Sequence, residues 1–149
     1  MFKLNKKVEY AIIALKHMYC KRPGDMSTVK EICESYGAPF DVTSRAMQKM
    51  ASAGILKSEK GAHGGYFIQQ DLGQLKLLDL IELVSGSVAL ANCVSQSCKC
   101  DMLESCNIVN PVTRLNNMVR EFFSAMTVED LIDDSESLKS KQYEGMTNE

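Results

Sequence analysis

The chain has 149 residues, of which 45% are hydrophobic and 24% are charged. This length and apolar fraction are typical of a single globular domain, and they exclude disorder of the whole chain. The longest uninterrupted apolar run, Ala11 to Leu15, is far shorter than the roughly 20 residues that a membrane-spanning helix needs. Lys16 and His17 interrupt any signal-peptide core near the N-terminus, so we expect a cytoplasmic protein without a membrane partner.

The net charge of −2 conceals an asymmetry between the two halves of the chain. Residues 1–68 carry a formal charge of +5, whereas residues 69–149 carry −7. A basic half on an acidic protein favours contact with a polyanion, although ordinary surface charge gives the same number. The motifs must decide between these interpretations.

Three helices and a hairpin are predicted in the first half. Apolar residues at helical spacing predict a first helix from Lys6 to Cys20. Thr28 and Glu31 have the spacing of a capping box for a second helix, which ends at Gly37. A third helix begins at residues 38–41 and ends at Ala53, before Gly54. Residues 55–58 and 66–68 are then predicted as two short strands joined by a glycine-rich turn, which together form a hairpin.

The second half contains a short helix over residues 75–84, a segment with four cysteines, and a longer amphipathic helix. Three helices followed by a hairpin are the layout of a winged helix-turn-helix. The sequence therefore predicts a mainly α fold with a small β-hairpin wing, divided into a DNA-binding domain (1–86), a cysteine-rich cluster-binding loop (87–110), a dimerisation helix (111–132) and a disordered acidic tail (133–149).

Candidate DNA-binding residues follow from this layout. In a winged helix-turn-helix the third helix enters the major groove and the hairpin contacts the adjacent backbone. Cations and bare backbone amides suit phosphate, and polar side chains on the third helix suit base edges. A solvated helix and an ordinary hairpin are the alternative. The candidates are Ser44, Arg45, Gln48 and Lys49 on the helix, and Lys57, Lys60, Gly61, His63, Gly64 and Gly65 in the wing.

Several runs of sequence resemble the BadM/Rrf-type winged-helix transcriptional regulators. They are AMQKMASAGILKSEKGAHGGYFI, LKLLDLIELVSG and the N-terminal LNKKVEYAIIAL. The family comprises bacterial homodimeric transcription factors, among them the iron–sulfur proteins IscR, NsrR and RirA. The resemblance implies a homodimer that binds a palindromic operator in double-stranded DNA, with the helix after residue 111 as the antiparallel dimer helix.

Two residues at the start of the third helix depart from the IscR-like pattern. Pro39 and Asp41 stand where IscR-like proteins often have serines that meet DNA. A carboxylate is repelled by phosphate, but it can accept a hydrogen bond from the amino group of cytosine. We therefore expect a target sequence different from that of the better-known members.

Four cysteines lie close together at positions 93, 98, 100 and 106, with the spacing C-x4-C-x-C-x5-C. This polar segment suits an iron–sulfur cluster or a thiol–disulfide switch, whereas a structural zinc site prefers C-x2-C-like pairs. Cys20 and Cys33 each lie singly in an apolar helical pattern, so we expect structural roles for them.

The family resemblance implies a ligand set for the cluster. Its common spacing selects Cys93, Cys100 and Cys106, with Cys98 either a spare or a substitute for Cys100. Val109 stands where IscR-like proteins have a ligating histidine, which argues against IscR-type ligation. In NsrR-like proteins an acidic residue on the first helix of the partner subunit ligates the cluster, and Glu9 occupies the matching position. A [4Fe–4S] cluster is favoured over a [2Fe–2S] cluster.

The leading hypothesis is a homodimeric regulator whose operator binding is controlled by an iron–sulfur cluster that senses nitric oxide, redox state or iron. The alternatives are a cluster-free thiol–disulfide switch and a protein-interaction module that has lost DNA binding. An enzyme is not expected, because the chain has no Ser-His-acid or phosphate-loop motif and only two histidines.

Overall fold

The computed structural model describes residues 3–94 and 100–133. Six α-helices and one hairpin follow each other in these residues. Their bounds are α1 Lys6–Tyr19, α2 Val29–Tyr36, α3 Phe40–Ser52, β1 Leu56–Glu59, β2 Gly65–Ile68, α4 Leu77–Ser85, α5 Val109–Ala125 and α6 Val128–Ile132, with a single 3-10 turn at Asn92–Val94. No helix within this described part of the chain is long and apolar enough to cross a membrane.

The helix-turn-helix is formed by α2 and α3. Thr28 caps α2 with the predicted capping box, in which its hydroxyl accepts from the Glu31 amide at 3.1 Å. Gly37 ends α2 in the left-handed conformation with φ of 65°, which a residue with a side chain adopts only at a cost. Pro39 then precedes α3 with φ of −66°, so the chain enters the next helix after the three-residue connection 37–39.

The wing is an antiparallel hairpin in which Leu56 pairs with Ile68 and Glu59 pairs with Gly65. A backbone bridge between Ser27 and Tyr66 attaches the hairpin to the segment before α2, with N–O distances of 2.9 and 2.8 Å. The predicted hairpin is therefore confirmed, and it is fastened to the helical part of the module by backbone hydrogen bonds.

One apolar core joins the helices and the root of the wing. It contains the buried faces of α1, α3 and α4 together with residues from β1 and α6, and its largest fully buried side chains are Leu15, Ile32, Met47, Met50, Leu56 and Leu80. Burial of this kind is the main stabilising contribution in a chain of this size. The core thus positions α3 and the wing relative to α1 and α4.

The segment 111–132, predicted as one dimerisation helix, consists of two helices. The chain becomes extended at Met126, and Thr127 caps the separate helix α6. Two backbone hydrogen bonds, from the Leu77 amide to Met126 and from the Val128 amide to Leu75, tie this break to the start of α4. Val128 and Ile132 are buried in the core, so α6 closes the domain. From residue 134 onward, the predicted tail lies outside the described residues.

Candidate DNA-binding face and cysteine segment

The helix α3 has a buried side and an exposed side. Thr43, Ala46, Met47 and Met50 are buried against the core. Asp41, Arg45 and Gln48 are exposed, and they recur at the three- and four-residue spacing that places them together on the opposite side. Ser44 is half-buried at the margin of this side, where its hydroxyl accepts a hydrogen bond from the Gln48 amide nitrogen at 3.3 Å. Three of the predicted contact residues, Ser44, Arg45 and Gln48, thus share one surface.

Lys49 differs from the other candidates on α3 because its ammonium group has partners within the protein. Its Nζ donates to the carbonyl oxygens of Leu83 and Val84 at 3.3 and 3.2 Å. These carbonyls belong to the last turn of α4, where a cation is favoured by the helix dipole. Lys49 therefore holds the C-terminal end of α4 against α3, a role that the sequence pattern did not indicate.

Lys7 is a residue that the sequence reasoning missed. A cavity between α1, α3 and α4 is lined by Lys7, Asp41, Val42, Arg45, Ala46, Lys49 and Val84. Its charged residues are three cations and one carboxylate. Residue 7 lies far along the chain from α3, and no motif links the two, so only the packing of α1 on α3 brings this extra cation beside the exposed side.

The wing carries the remaining predicted contact residues, with Lys57 paired with Phe67 toward its base and the others at its tip. Lys57, Lys60, Gly61 and His63 are exposed. The Lys57 ammonium lies 5.8 Å from the centre of the Phe67 ring, within the range of a cation–π contact. Gly61 has φ of +124°, a conformation that strongly favours glycine. Cationic side chains and main-chain amides are therefore both accessible on the wing.

Gly64 and Gly65 are required by the wing itself. A Cβ atom at Gly64 would lie 2.3 Å from the Glu59 carbonyl oxygen, and one at Gly65 would lie 2.9 Å from the Ser27 carbonyl oxygen. Both distances are too short for a side chain. The two glycines therefore shape the turn and its attachment to the chain before α2, whether or not DNA approaches them.

The cysteine segment between α4 and α5 is partly described. Cys93 is half-buried in the 3-10 turn, Cys100 is exposed and Cys106 is half-buried just before α5. Cys98 lies outside the described residues. Among the residues that are described, no three side chains of His, Cys, Asp or Glu are gathered closely enough to hold a metal ion.

Polar contacts attach the start of this segment to α4 and α5. The buried Asn116 accepts from the Leu90 amide at 2.9 Å, and Glu82 accepts from the Val88 amide at 3.3 Å. Arg120 forms an ion pair with Glu82. The Arg120 guanidinium and the Val88 amide lower the pKa of the Glu82 carboxyl, and they outweigh partial burial, which raises it. Both helices thus fix the chain as far as the turn that carries Cys93.

Glu9 lies in the first turn of α1, and its carboxylate pairs with the Lys6 ammonium at 2.6 Å. The Lys6 side chain is 72% exposed, and such surface pairs contribute little to stability. The carboxylate is therefore held only weakly by its neighbour. Within the described part of the chain, Glu9 belongs to no group of three or more side chains that could hold a metal ion.

The helix α5 has an apolar stripe that the described residues leave largely uncovered. Leu115, Met118 and Phe122 are more than half exposed and recur at helical spacing, and Ile108 immediately before the helix is 56% exposed. The opposite side of α5 contacts Glu82 of α4 through Arg120, the Leu90 amide through Asn116 and the core through Phe123. A stripe of this length is unusual for a surface that faces only water.

The expectation that Cys20 and Cys33 are core residues is wrong for Cys20. Cys20 is exposed at the C-terminal end of α1, beyond the last buried residue of that helix, and Cys33 is half-buried on α2. The helical spacing of Cys20 suggested burial, but the last buried residue of α1 is Met18, two residues earlier.

Comparison with known proteins identifies the family. The family model Rrf2, described as an iron-dependent transcriptional regulator, matches residues 4–134. The chain belongs to the Rrf2 family. Since Rrf2 proteins are transcriptional regulators, the expectation that the chain is not an enzyme is confirmed, and so is the resemblance on which the sequence analysis relied.

Individual relatives are distant but cover most of the chain. Protein aau3 of Rhizobium meliloti (strain 1021) is 26% identical over 132 residues, which are 87% of this chain and 84% of that protein. The HTH-type transcriptional regulator NsrR of Bacillus subtilis (strain 168) is 20% identical over 143 residues, or 91% of this chain and 94% of NsrR.

Among solved structures, CymR, the global cysteine regulator of B. subtilis, aligns with a TM-score of 0.68 at 21% identity. The alignment covers 89% of this chain and 97% of CymR. The predicted fold class, a mainly helical winged helix-turn-helix with a two-stranded wing, is thereby confirmed for this Rrf2 chain.

Proposed function

We propose that this chain is a homodimeric transcriptional regulator that binds a palindromic operator through α3 and the wing, under the control of the cysteine segment. The observation that carries the DNA-binding part is the polar, exposed side of α3 in a chain of a DNA-binding family. Its Arg45 and Gln48 suit base edges or phosphate, and Ser44 lies beside Gln48, to which it is hydrogen-bonded. Lys57, Lys60, His63 and the amide of Gly61 supply phosphate contacts from the wing.

The apolar stripe of α5 supplies the dimer contact. Pairing two copies of α5 buries Leu115, Met118 and Phe122 against the same residues of the second copy, as a twofold interface requires. A twofold dimer presents two copies of α3, which suits two half-sites of a palindrome. Phe122→Asp is therefore expected to convert the dimer to a monomer in sedimentation or light-scattering measurements, and a persistent dimer would contradict this interface.

The salt dependence of DNA affinity tests the DNA-binding part. The affinity of the protein for fragments selected from random double-stranded DNA should fall steeply as the salt concentration rises, because phosphate contacts release counterions. Arg45→Ala should weaken binding by about tenfold to a hundredfold, in line with about 1–3 kcal/mol for a good base contact. Lys30→Ala, on the exposed side of α2 and outside the proposed contact set, is the matched control. Weak binding without salt dependence would favour the protein-interaction module instead.

For the control of binding we propose an iron–sulfur cluster held by Cys93, Cys100 and Cys106, with Cys98 as the alternative to Cys100. The donor chemistry fits, since thiolates are the usual cluster ligands, and the family description names iron dependence. As the fourth ligand we propose Glu9 of the second subunit, whose carboxylate is held only by an exposed surface pair with Lys6. When bound, such a cluster would react with nitric oxide, change with redox state or be lost when iron is scarce.

The residues of the chain itself connect this segment to the DNA-binding face. Asn116 and Glu82 hold the chain that leads to Cys93 against α5 and α4. Leu83 and Val84 follow Glu82 in α4, and their carbonyl oxygens accept hydrogen bonds from Lys49 of α3. A displacement at the cysteines therefore acts on the dimer helix and on the support of α3 through direct contacts. A small change in the distance between the two α3 helices is enough to weaken binding to two fixed half-sites.

Anaerobic purification with iron, sulfide and absorbance analysis tests the cluster. We expect iron and sulfide in similar amounts in the wild type, and their loss in Cys93→Ser and Cys106→Ser. The matched control is Cys33→Ser, which removes a thiol outside the segment. Glu9→Ala should lower cluster retention, and full retention in this variant would exclude Glu9 as a ligand. A protein without iron after anaerobic reconstitution would exclude the cluster.

A thiol–disulfide switch is the second candidate, favoured by the exposure of Cys100 and by the structural similarity to CymR, a cysteine regulator. In this case an oxidant takes two electrons and two protons from a pair of segment thiols and leaves a disulfide. Mass spectrometry should then find a disulfide among the segment cysteines, and a reductant should restore the original DNA affinity. This result without bound iron would establish the switch in place of the cluster.

A further inference from the structure

Phe40 is an exposed aromatic residue at the start of α3. Its side chain is 56% exposed, whereas the other large apolar residues of the helix, Met47 and Met50, are fully buried. Phe40 is not among the residues that form the core or pack against it. Among the described residues, the phenyl ring of Phe40 is therefore more exposed than covered and lies outside the core.

The position of Phe40 places it beside the proposed contact surface. Phe40 precedes Ser44 by one helical turn, so both lie toward the same margin of the exposed side, and Asp41 lies on that side as the next residue. In helix-turn-helix proteins, the N-terminal residues of the recognition helix contact base edges in the major groove. No side chain caps this end of α3, since Pro39 is the residue at the cap.

We propose that Phe40 contacts the C5 methyl group of a thymine in each half-site and that Asp41 accepts a hydrogen bond from N4 of a nearby cytosine. The thymine methyl is the one apolar group that base pairs present in the major groove, and cytosine N4 is a donor that a carboxylate accepts from. This inference rests on the proposed DNA binding and specifies which bases the start of α3 selects.

The charges around Asp41 favour DNA over a protein partner on this surface. Lys7, Arg45 and Lys49 line the same cavity as Asp41, so the single carboxylate lies among three cations. Cations in this arrangement attract a polyanion, and the carboxylate restricts approach to positions that offer a hydrogen-bond donor. The surface available for a second copy of the chain, the apolar stripe of α5, is on a different helix.

The test uses the full chain and fragments selected from random double-stranded DNA. We expect selected fragments to share a thymine at one position of each half-site. Replacing that thymine by uracil, which removes only the methyl group, should weaken wild-type binding by about fourfold per half-site. In Phe40→Ala the thymine and uracil fragments should bind equally well, and Phe40→Leu should retain part of the difference. Leu131→Ala, an exposed apolar residue on α6, is the matched control and should keep the full difference.

Asp41→Asn is the second variant. It adds an amide donor at the same position, so a selection with this variant should lose the cytosine preference and retain the thymine. An unchanged thymine-to-uracil ratio in Phe40→Ala, or the absence of any thymine whose methyl matters, would overturn the proposal for Phe40. Either result leaves the proposed DNA binding intact as long as the protein still binds the selected fragments in a salt-dependent way. The proposed DNA binding itself fails only if that salt-dependent binding is absent.

Discussion

The DNA-binding module and the cysteine segment are held in place by different interactions. In the module, α1, α3, α4 and the root of the wing share one apolar core, and the wing is fastened by backbone hydrogen bonds at Ser27 and Tyr66. The described residues of the cysteine segment include no fully buried apolar side chain, and Val88 packs only partly against the core. The other anchors of the segment are polar contacts to Glu82 and Asn116. Local sequence patterns therefore predict the module well, because the spacing of its apolar residues shows which sides of its helices are buried. The structure of the cysteine segment depends instead on partners supplied by other helices, a second subunit or a bound group.

The largest expected effect comes from the core of the module. Leu80 on α4 is fully buried, so Leu80→Ala leaves a cavity and should lower the free energy of unfolding by about 2–5 kcal/mol in a denaturant titration. Leu115→Ala is the matched control, since Leu115 is 53% exposed on α5 and has no core to lose. A similar loss of monomer stability in the two variants would contradict the division between core and stripe.

The ion pair that anchors the cysteine segment should have a smaller, pH-dependent effect. Glu82→Gln should lower the free energy of unfolding at pH 7 by about 1 kcal/mol, because both side chains are about one-third exposed and solvent screens them. The folded state lowers the pKa of Glu82 below its ordinary value of 4.5, so this stabilisation is complete above that pH and disappears as the pH falls through the lowered pKa. Thermal unfolding across pH 3–7 is the measurement.

The matched variant for this pair is Glu34→Gln, which removes an exposed partner 3.8 Å from Lys30 on α2. We expect almost no change in its unfolding at any pH in that range. If Glu82→Gln and Glu34→Gln shift the unfolding temperature equally, the contact between Glu82 and Arg120 does not anchor the segment.

Lys49 distinguishes support of α3 from contact with DNA. Lys49→Met should lower the free energy of unfolding by about 0.5–1 kcal/mol, because the last turn of α4 loses a cationic donor. Arg45→Ala should leave stability nearly unchanged, since Arg45 is exposed, and should weaken DNA binding instead. Parallel unfolding and binding titrations separate the two roles. If the Lys49→Met variant is as stable as the wild type but binds DNA poorly, Lys49 contacts DNA directly.

The smallest effect concerns the attachment of the wing. The Ser27 hydroxyl is buried and has no hydrogen-bond partner among the described residues. Ser27→Ala removes this unsatisfied group, so we expect unchanged or slightly higher stability, by up to about 1 kcal/mol. Gly65→Ala is the contrasting variant at the same contact, because its Cβ would collide with the Ser27 carbonyl oxygen. Unfolding titrations of both variants check whether the backbone or the hydroxyl fastens the wing.

The sequence by itself determined the order of the elements, the hairpin and the family. Apolar spacing placed α1 to α4 to within a residue or two, and Thr28, Glu31 and Gly37 marked the ends of α2 because caps and helix ends depend on neighbours in the chain. It also nominated Ser44, Arg45 and Gln48, which share the exposed side of α3. Such predictions succeed because the interactions that decide them lie within a few residues of each other.

Only the tertiary structure decided the contacts between distant parts of the chain. It placed Lys7 in the same cavity as Arg45 and gave Lys49 the carbonyls of α4 as partners. It also divided the predicted dimerisation helix at Met126, because the start of α4 pairs with that break. It also left Phe40 exposed where a helical pattern gives no such indication. These features depend on packing between elements far apart in sequence, and hydrophobic periodicity carries no information about which elements meet.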